Sequence, residues 1–191
     1  LFAGAPIVQG ALIDDTVQPD QLRYDRGSQI NTFFYENIDI YQGSLVFLIT
    51  PEWDGDDGNS HRIIDTGTGA DLILDKGSGD DWEVFIGGRQ WQSVDASSIS
   101  AGTTYLIVLR WDIQNTLDGT NYVSLSINDT HNFGISTQPT ADEPSNNIYI
   151  GNAASIYSAN AIIEGLTFYR RPLFDGAYGV DVGNGDEIAQ I

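Results

Sequence analysis

Residues 44–50, Ser44-Leu-Val-Phe-Leu-Ile-Thr50, decide how this chain is read. The apolar run is strand-sized, flanked by Gly43 on one side and Pro51 on the other. A short stretch that is apolar on both faces is what a strand buried between two layers needs. Proline has no N–H to give to a ladder, so Pro51 ends it. A second strand of the same kind is Thr104-Tyr-Leu-Ile-Val-Leu-Arg-Trp111. Tyr122 to Ile127 alternates instead, with Val123, Leu125 and Ile127 on one face.

Outward from these, short apolar runs recur between Gly, Asn, Asp and Ser, as in a β-sandwich. His61 to Asp65, Asp71 to Lys76 and Trp82 to Ile86 read as a meander, with Gly67, Gly69, Gly77 and Gly79 in its turns. Gly87-Gly88 turns the chain into a return strand, Arg89 to Val94. Asn128-Asp129 closes another hairpin, and Asn147 to Gly151 with Ala161 to Tyr169 is expected to form the last pair. Gln29 to Tyr35 reads as a strand leading into the body, whereas Ala11 to Asp20 is polar and turn-rich, with Pro19 against a central strand. The total is about eleven or twelve strands with very little helix. The acidic, glycine-rich tail from Phe174 to Ile191 offers only a short helix start at Asp186.

The 191 residues suit one domain, 1–191, and 41% apolar content supports a core without disulfides, which the absence of cysteine rules out. The net charge is −19, with one lysine and seven arginines. Such a surface repels phosphate backbones and anionic lipid, so neither nucleic acid nor membrane insertion is expected. No apolar run approaches the roughly 20 residues that cross a bilayer. The chain starts at Leu1 and has no methionine, so a processed protein or a segment cut from a longer one is expected.

Three stretches resemble the concanavalin A-like, laminin G-like family. Gly43-Ser-Leu-Val-Phe-Leu-Ile-Thr-Pro-Glu-Trp53 is similar to its first core strand. Tyr105 to Trp111 followed by Tyr122-Val-Ser-Leu-Ser-Ile-Asn-Asp129 resembles its central hairpin. Asn147-Ile-Tyr-Ile-Gly151 and Ile162-Ile-Glu-Gly-Leu-Thr-Phe-Tyr-Arg-Arg-Pro-Leu173 resemble its closing signature. The match runs over 29–173; residues 1–28 match nothing, Glu164-Gly165 replaces an acidic pair, and Phe174 to Gly185 is inserted. The resemblance implies a two-sheet antiparallel jelly-roll sandwich that binds glycans, calcium or proteins at a rim or on a sheet face.

Several residues offer chemistry. Asp54, Asp56 and Asp57 crowd into a glycine loop able to wrap oxygens around calcium, although an Asp/Gly turn has the same composition. Asp65 with Asp71, and Asp80 with Asp81, are weaker oxygen sets. Trp53, Trp82 and Trp91 flank polar turns and are the candidate sugar-stacking platforms, while Trp111 reads as core. His61 and His131 stand apart and are expected at solvent or edge positions. Asn128-Asp-Thr130 is a glycosylation sequon. Glu36 and Asp39 are three apart, so on a strand they face opposite ways and make no glycosidase set. The expectation is a non-catalytic binding or adhesion domain of an extracellular, cell-surface or virion protein. Its partner is a glycan or a protein, with calcium the cofactor considered. The alternatives are an assembly module of a virion, tail fibre or filament, with a homo-oligomer in view, and behind it a glycoside hydrolase.

Overall fold

The computed structural model describes residues 11–13, 22–25, 39, 41–66, 72–86, 89–128, 130–140, 147–151 and 157–173. The central run becomes β3 (Gln42–Pro51), and the second apolar run becomes β8 (Tyr105–Asp112). They pair antiparallel, Leu45 opposite Leu109 and Phe47 opposite Ile107. β9 (Val123–Ile127) adds to β8, so that Leu45, Leu109 and Leu125 form one row across three strands. β10 (Thr130–Ile135) follows, and β12 (Ala161–Tyr169) and then β1 (Ala11–Ile13) complete the other side, in the order β1-β12-β3-β8-β9-β10.

The second sheet is the meander β4 (His61–Asp65), β5 (Leu72–Lys76), β6 (Asp81–Ile86) and β7 (Arg89–Asp95), extended by β11 (Asn147–Ile150) and β2 (Leu22–Asp25). Its order is β2-β11-β4-β5-β6-β7, and every pairing in both sheets is antiparallel. The described residues contain no helix, so the chain is an all-β, two-sheet sandwich.

The core lies between the sheets. Leu45, Phe47 and Ile49 of β3 and Ile107, Leu109 and Trp111 of β8 meet Leu72 and Leu74 of β5 and Trp82, Val84 and Ile86 of β6. All are buried, and each fully buried aliphatic side chain contributes about 1.5–3 kcal/mol. The alternation in β6 is clean: Trp82, Val84 and Ile86 face inward, and Asp81, Glu83 and Phe85 face out half-buried. β5 is buried on both faces, so Ile73 and Asp75 are covered as well.

Two expectations need correction. Asn147 to Gly151 and Ala161 to Tyr169 do not pair: β11 lies between β2 and β4, and β12 lies between β1 and β3 in the other sheet. The chain crosses between sheets after Gly151, whose φ of 75° is open to glycine and whose N–H reaches the Ile63 carbonyl. Ala11 to Ile13, expected in a turn-rich segment, is a short edge strand on β12. Edge strands are commonly this short. The expected strand at 29–35 and helix start at 186–191 lie outside the described residues.

After β12 the chain folds back over the outer face of the first sheet. Arg110, fully buried, donates from Nη1 to the Leu173 carbonyl and from Nε and Nη2 to the Ser124 hydroxyl. The Ser44 hydroxyl accepts the Leu173 N–H and donates to the Arg171 carbonyl. These bonds seat Leu173 on Val46 and Val108 in a small second core.

Candidate functional site

Two polar clusters stand on the second sheet, on opposite faces of β5. The first lies at one rim of the sandwich. Leu72 and Leu74 point inward, and the same parity sends Lys76 inward at the strand's end, where it is completely buried. A buried ammonium needs anionic partners. Its Nζ lies 2.6 Å from Asp57 Oδ1 and 2.8 Å from Asp80 Oδ1, and it donates to the Asn59 carbonyl. His61 Nε2 lies 2.7 Å from Asp57 Oδ2, and its Nδ1 lies 3.4 Å from the Ser158 carbonyl. The His61 ring stacks on Trp53 with centroids 4.5 Å apart and planes 8° apart. Trp53 in turn donates from Nε1 to the Ala159 carbonyl and meets Trp82 edge-on. Thus one lysine, two aspartates, one histidine and two tryptophans pin the 52–60 loop to the sandwich.

Burial alone would raise the Asp57 carboxyl, but the Lys76 ammonium, the Asn59 N–H and His61 together outweigh it. They hold Asp57 well below the ordinary 3.8. Lys76 and the Gly58 N–H lower Asp80 in the same way. A carboxyl lowered by folding adds stability above its unfolded value and loses it as pH falls. Wild-type stability, followed by urea unfolding from pH 5 down to pH 2, is therefore expected to fall more steeply than that of Asp57→Asn. Parallel curves would remove Asp57 from the account of acid unfolding.

The second cluster lies on the outer face. Arg62 of β4, Asp75 of β5 and Glu83 of β6 stand directly opposite one another across three strands. Arg62 bridges two carboxylates, Nη1 at 2.8 Å from Asp65 Oδ2 and Nη2 at 3.0 Å from Asp75 Oδ2. The Tyr157 ring lies with its centroid 5.8 Å from the guanidinium carbon and is 42% exposed, which makes it the accessible edge of the cluster. Among the described residues two buried atoms here have no partner, Arg62 Nε and Asp75 Oδ1. Burial pushes Asp75 up to about 6, with Glu83 and Asp65 adding repulsion that Arg62 only partly offsets.

The sequence-derived candidates fall differently from expectation. Trp53 and Trp82 are not exposed platforms: they are 5% and 0% exposed and belong to the core. Adjacency to polar turns misled; parity with Val84 and Ile86 turns Trp82 inward, and the Ala159 carbonyl draws Trp53 in. Trp91 lies on β7 opposite Val84, and its side chain lies outside the described residues. The carboxylates of Asp54, Asp56 and Asp57 do not converge. Asp54 accepts the Ala101 N–H, Asp56 is exposed, and Asp57 turns inward to a lysine that already supplies the positive charge. Among the described residues no three His, Asp or Glu side chains are placed to hold a metal ion.

His61 is buried, contrary to the expected edge position, because Asp57 and Trp53 satisfy both its polar and its flat surfaces. Asp65 pairs with Arg62, while Asp71, Glu36 and the His131 side chain lie outside the described residues. Trp111 is buried as expected. Asn128 is exposed at its hairpin, with Oδ1 accepting the Leu106 N–H. Arg62, Asp75, Glu83, Lys76 and Tyr157 were not singled out from sequence. The available signal was charge at strand positions, above all the sole lysine in phase with Leu72 and Leu74.

No protein-family model matches the chain, and no curated protein matches it. Solved structures do. A Trypanosoma rangeli sialidase superposes with a TM-score of 0.52 at 15% identity, over 71% of this chain and 21% of the sialidase. The binding domain of botulinum neurotoxin serotype D superposes with a TM-score of 0.54 at 15% identity, over 75% of this chain and 36% of that one. The receptor binding domain of a mosaic serotype C/D neurotoxin gives 0.54 at 16% identity, over 75% and 36%. This chain therefore spans about a fifth of the sialidase and about a third of the toxin domains. At such identities the likeness is one of fold.

Proposed function

We propose that this chain is a non-catalytic binding or adhesion domain of an extracellular, cell-surface or virion protein, built on a concanavalin A-like sandwich. Its ligand is a glycan or a partner protein. The observation that carries the reading is the outer-face cluster, where half-exposed Tyr157 borders an Arg62 held between Asp65 and Asp75. An aromatic face beside fixed polar groups suits a sugar ring with its hydroxyls, or a protein hot spot. The toxin receptor-binding domains of the same fold support the reading. Hydrolysis has less support, because the two nearest carboxylates, Asp65 and Asp75, are tied by one guanidinium and are almost fully covered. A retaining or inverting pair must instead flank an open bond.

The test is a glycan array and a binding assay on the full chain, with and without a calcium chelator, for wild type and Tyr157→Ala. Truncating a tyrosine at the centre of a contact typically costs more than about 1 kcal/mol, or roughly tenfold in affinity. Tyr157→Ala is expected to lose binding by that factor while its unfolding midpoint stays near wild type. The absence of any glycan signal in both conditions counts against the lectin form of the proposal. Undiminished binding by Tyr157→Ala moves the site elsewhere, and a signal lost only with chelator assigns calcium a part.

A further inference from the structure

Asp75 lies in a setting that suits a neutral carboxyl better than a charged one. From β4 it faces Arg62 and Asp65, and from β6 it faces Glu83, its direct partner across the ladder. Like charges directly opposite on antiparallel strands repel. Arg62 divides its guanidinium between Asp65 and Asp75, and it reaches Asp75 through Oδ2. Among the described residues Oδ1 is buried without a partner, on a side chain that is 5% exposed. An ionised carboxylate there has one oxygen with no donor among the described residues. Desolvation of that kind favours the protonated form.

We propose that Asp75 makes the second sheet a proton-operated switch, tightened when it takes up a proton at mildly acidic pH and loosened when it gives that proton up near neutrality. The direction follows from linkage. Folded Asp75 binds its proton at about 6 and the unfolded chain at 3.8. The stabilisation is fully present below about 3.8 and is lost as pH rises through about 6. One proton changes the folding equilibrium by at most tenfold per pH unit, so the window carries up to roughly a hundredfold. Asp57 acts in the opposite sense, its contribution being lost as pH falls below about 3.8, so the two windows are separate. The switch adjoins Arg62 on the face proposed for ligand, yet it needs no ligand to operate, and the two proposals can fail independently.

The test uses the full chain without ligand: urea unfolding at intervals from pH 4 to pH 7 for wild type, Asp75→Asn and Glu83→Gln, with the wild-type Asp75 carboxyl carbon followed by NMR. Acid relieves the general repulsion of a chain with net charge −19 in all three proteins, so the readout is their difference. Wild type is expected to lose up to about a hundredfold in its folding constant relative to Asp75→Asn as pH rises across the window. Glu83→Gln is expected to move the step to lower pH, and the NMR titration to show a midpoint near 6. A constant difference between wild type and Asp75→Asn, or an Asp75 carboxyl that titrates near 3.8, overturns the proposal. Should Asp75→Asn fail to fold, the wild-type titration and Glu83→Gln decide it.

Discussion

Lys76→Met is expected to destabilise the protein by about 3–5 kcal/mol, the cost of removing one partner from a buried ion pair. Methionine fills most of the volume, so the loss reports charge more than packing. The Lys76 ammonium is fully buried and lies 2.6 Å from Asp57, whose side chain is only 20% exposed. Without it, Asp57 keeps its bond from His61 and the Asn59 N–H but faces the rim as a half-buried anion with no countercharge. The 52–60 loop then loses its inner anchor. The double variant Lys76→Met, Asp57→Asn separates the two contributions: if the orphaned carboxylate is the main penalty, it recovers a large part of the loss. Urea midpoints of wild type, both single variants and the double variant give the coupling directly. A Lys76→Met protein within about 0.5 kcal/mol of wild type, the range of an ordinary surface change, would show that the cluster does not hold the loop.

How much of this was readable in advance depended on whether a feature is local. β3 and β8 announce themselves, because a strand buried on both faces must be apolar at consecutive positions. The meander from His61 to Asp95 has glycines between its apolar runs and was legible to within a residue or two at each end. The placement of β11 was not, because Asn147 to Ile150 and Ala161 to Tyr169 are equally apolar, and nothing local says which sheet takes which. The candidate site shows the same limit. Arg62, Asp75 and Glu83 have no motif spacing, and they become neighbours only through the registers of two separate strand pairs. The Asp54 to Asp57 loop was conspicuous in sequence as an acidic cluster, yet its chemistry is settled by Lys76, nineteen residues away on another element. Strand parity carried the information that composition obscured: counting by twos from Leu72 places Lys76 inward, and from Ile86 it places Trp82 inward.

Trp111→Ala is expected to lose about 3–5 kcal/mol, as large aromatic truncations in packed cores do. Three features put it in that class. The ring is 1% exposed at the end of β8, where Gly43 stands opposite on β3 and Val123 opposite on β9. Gly43 leaves the space the indole uses, since a Cβ there would collide with Cζ2 of the ring. Backbone therefore closes directly on the side chain and cannot collapse further into the cavity that alanine leaves. Trp111 Nε1 also donates to the Asp39 carbonyl at 3.0 Å, tying down the chain just before it enters β3. Truncation thus empties a core site and frees the entry to the central strand together. Trp111→Phe retains much of the apolar surface and loses the hydrogen bond, so it is expected to fall between wild type and alanine. The hydrogen bond's own share is about 1 kcal/mol. Unfolding midpoints in urea order the three proteins. If phenylalanine is as damaging as alanine, the bond to Asp39 rather than the packing against Gly43 holds the end of the central strands.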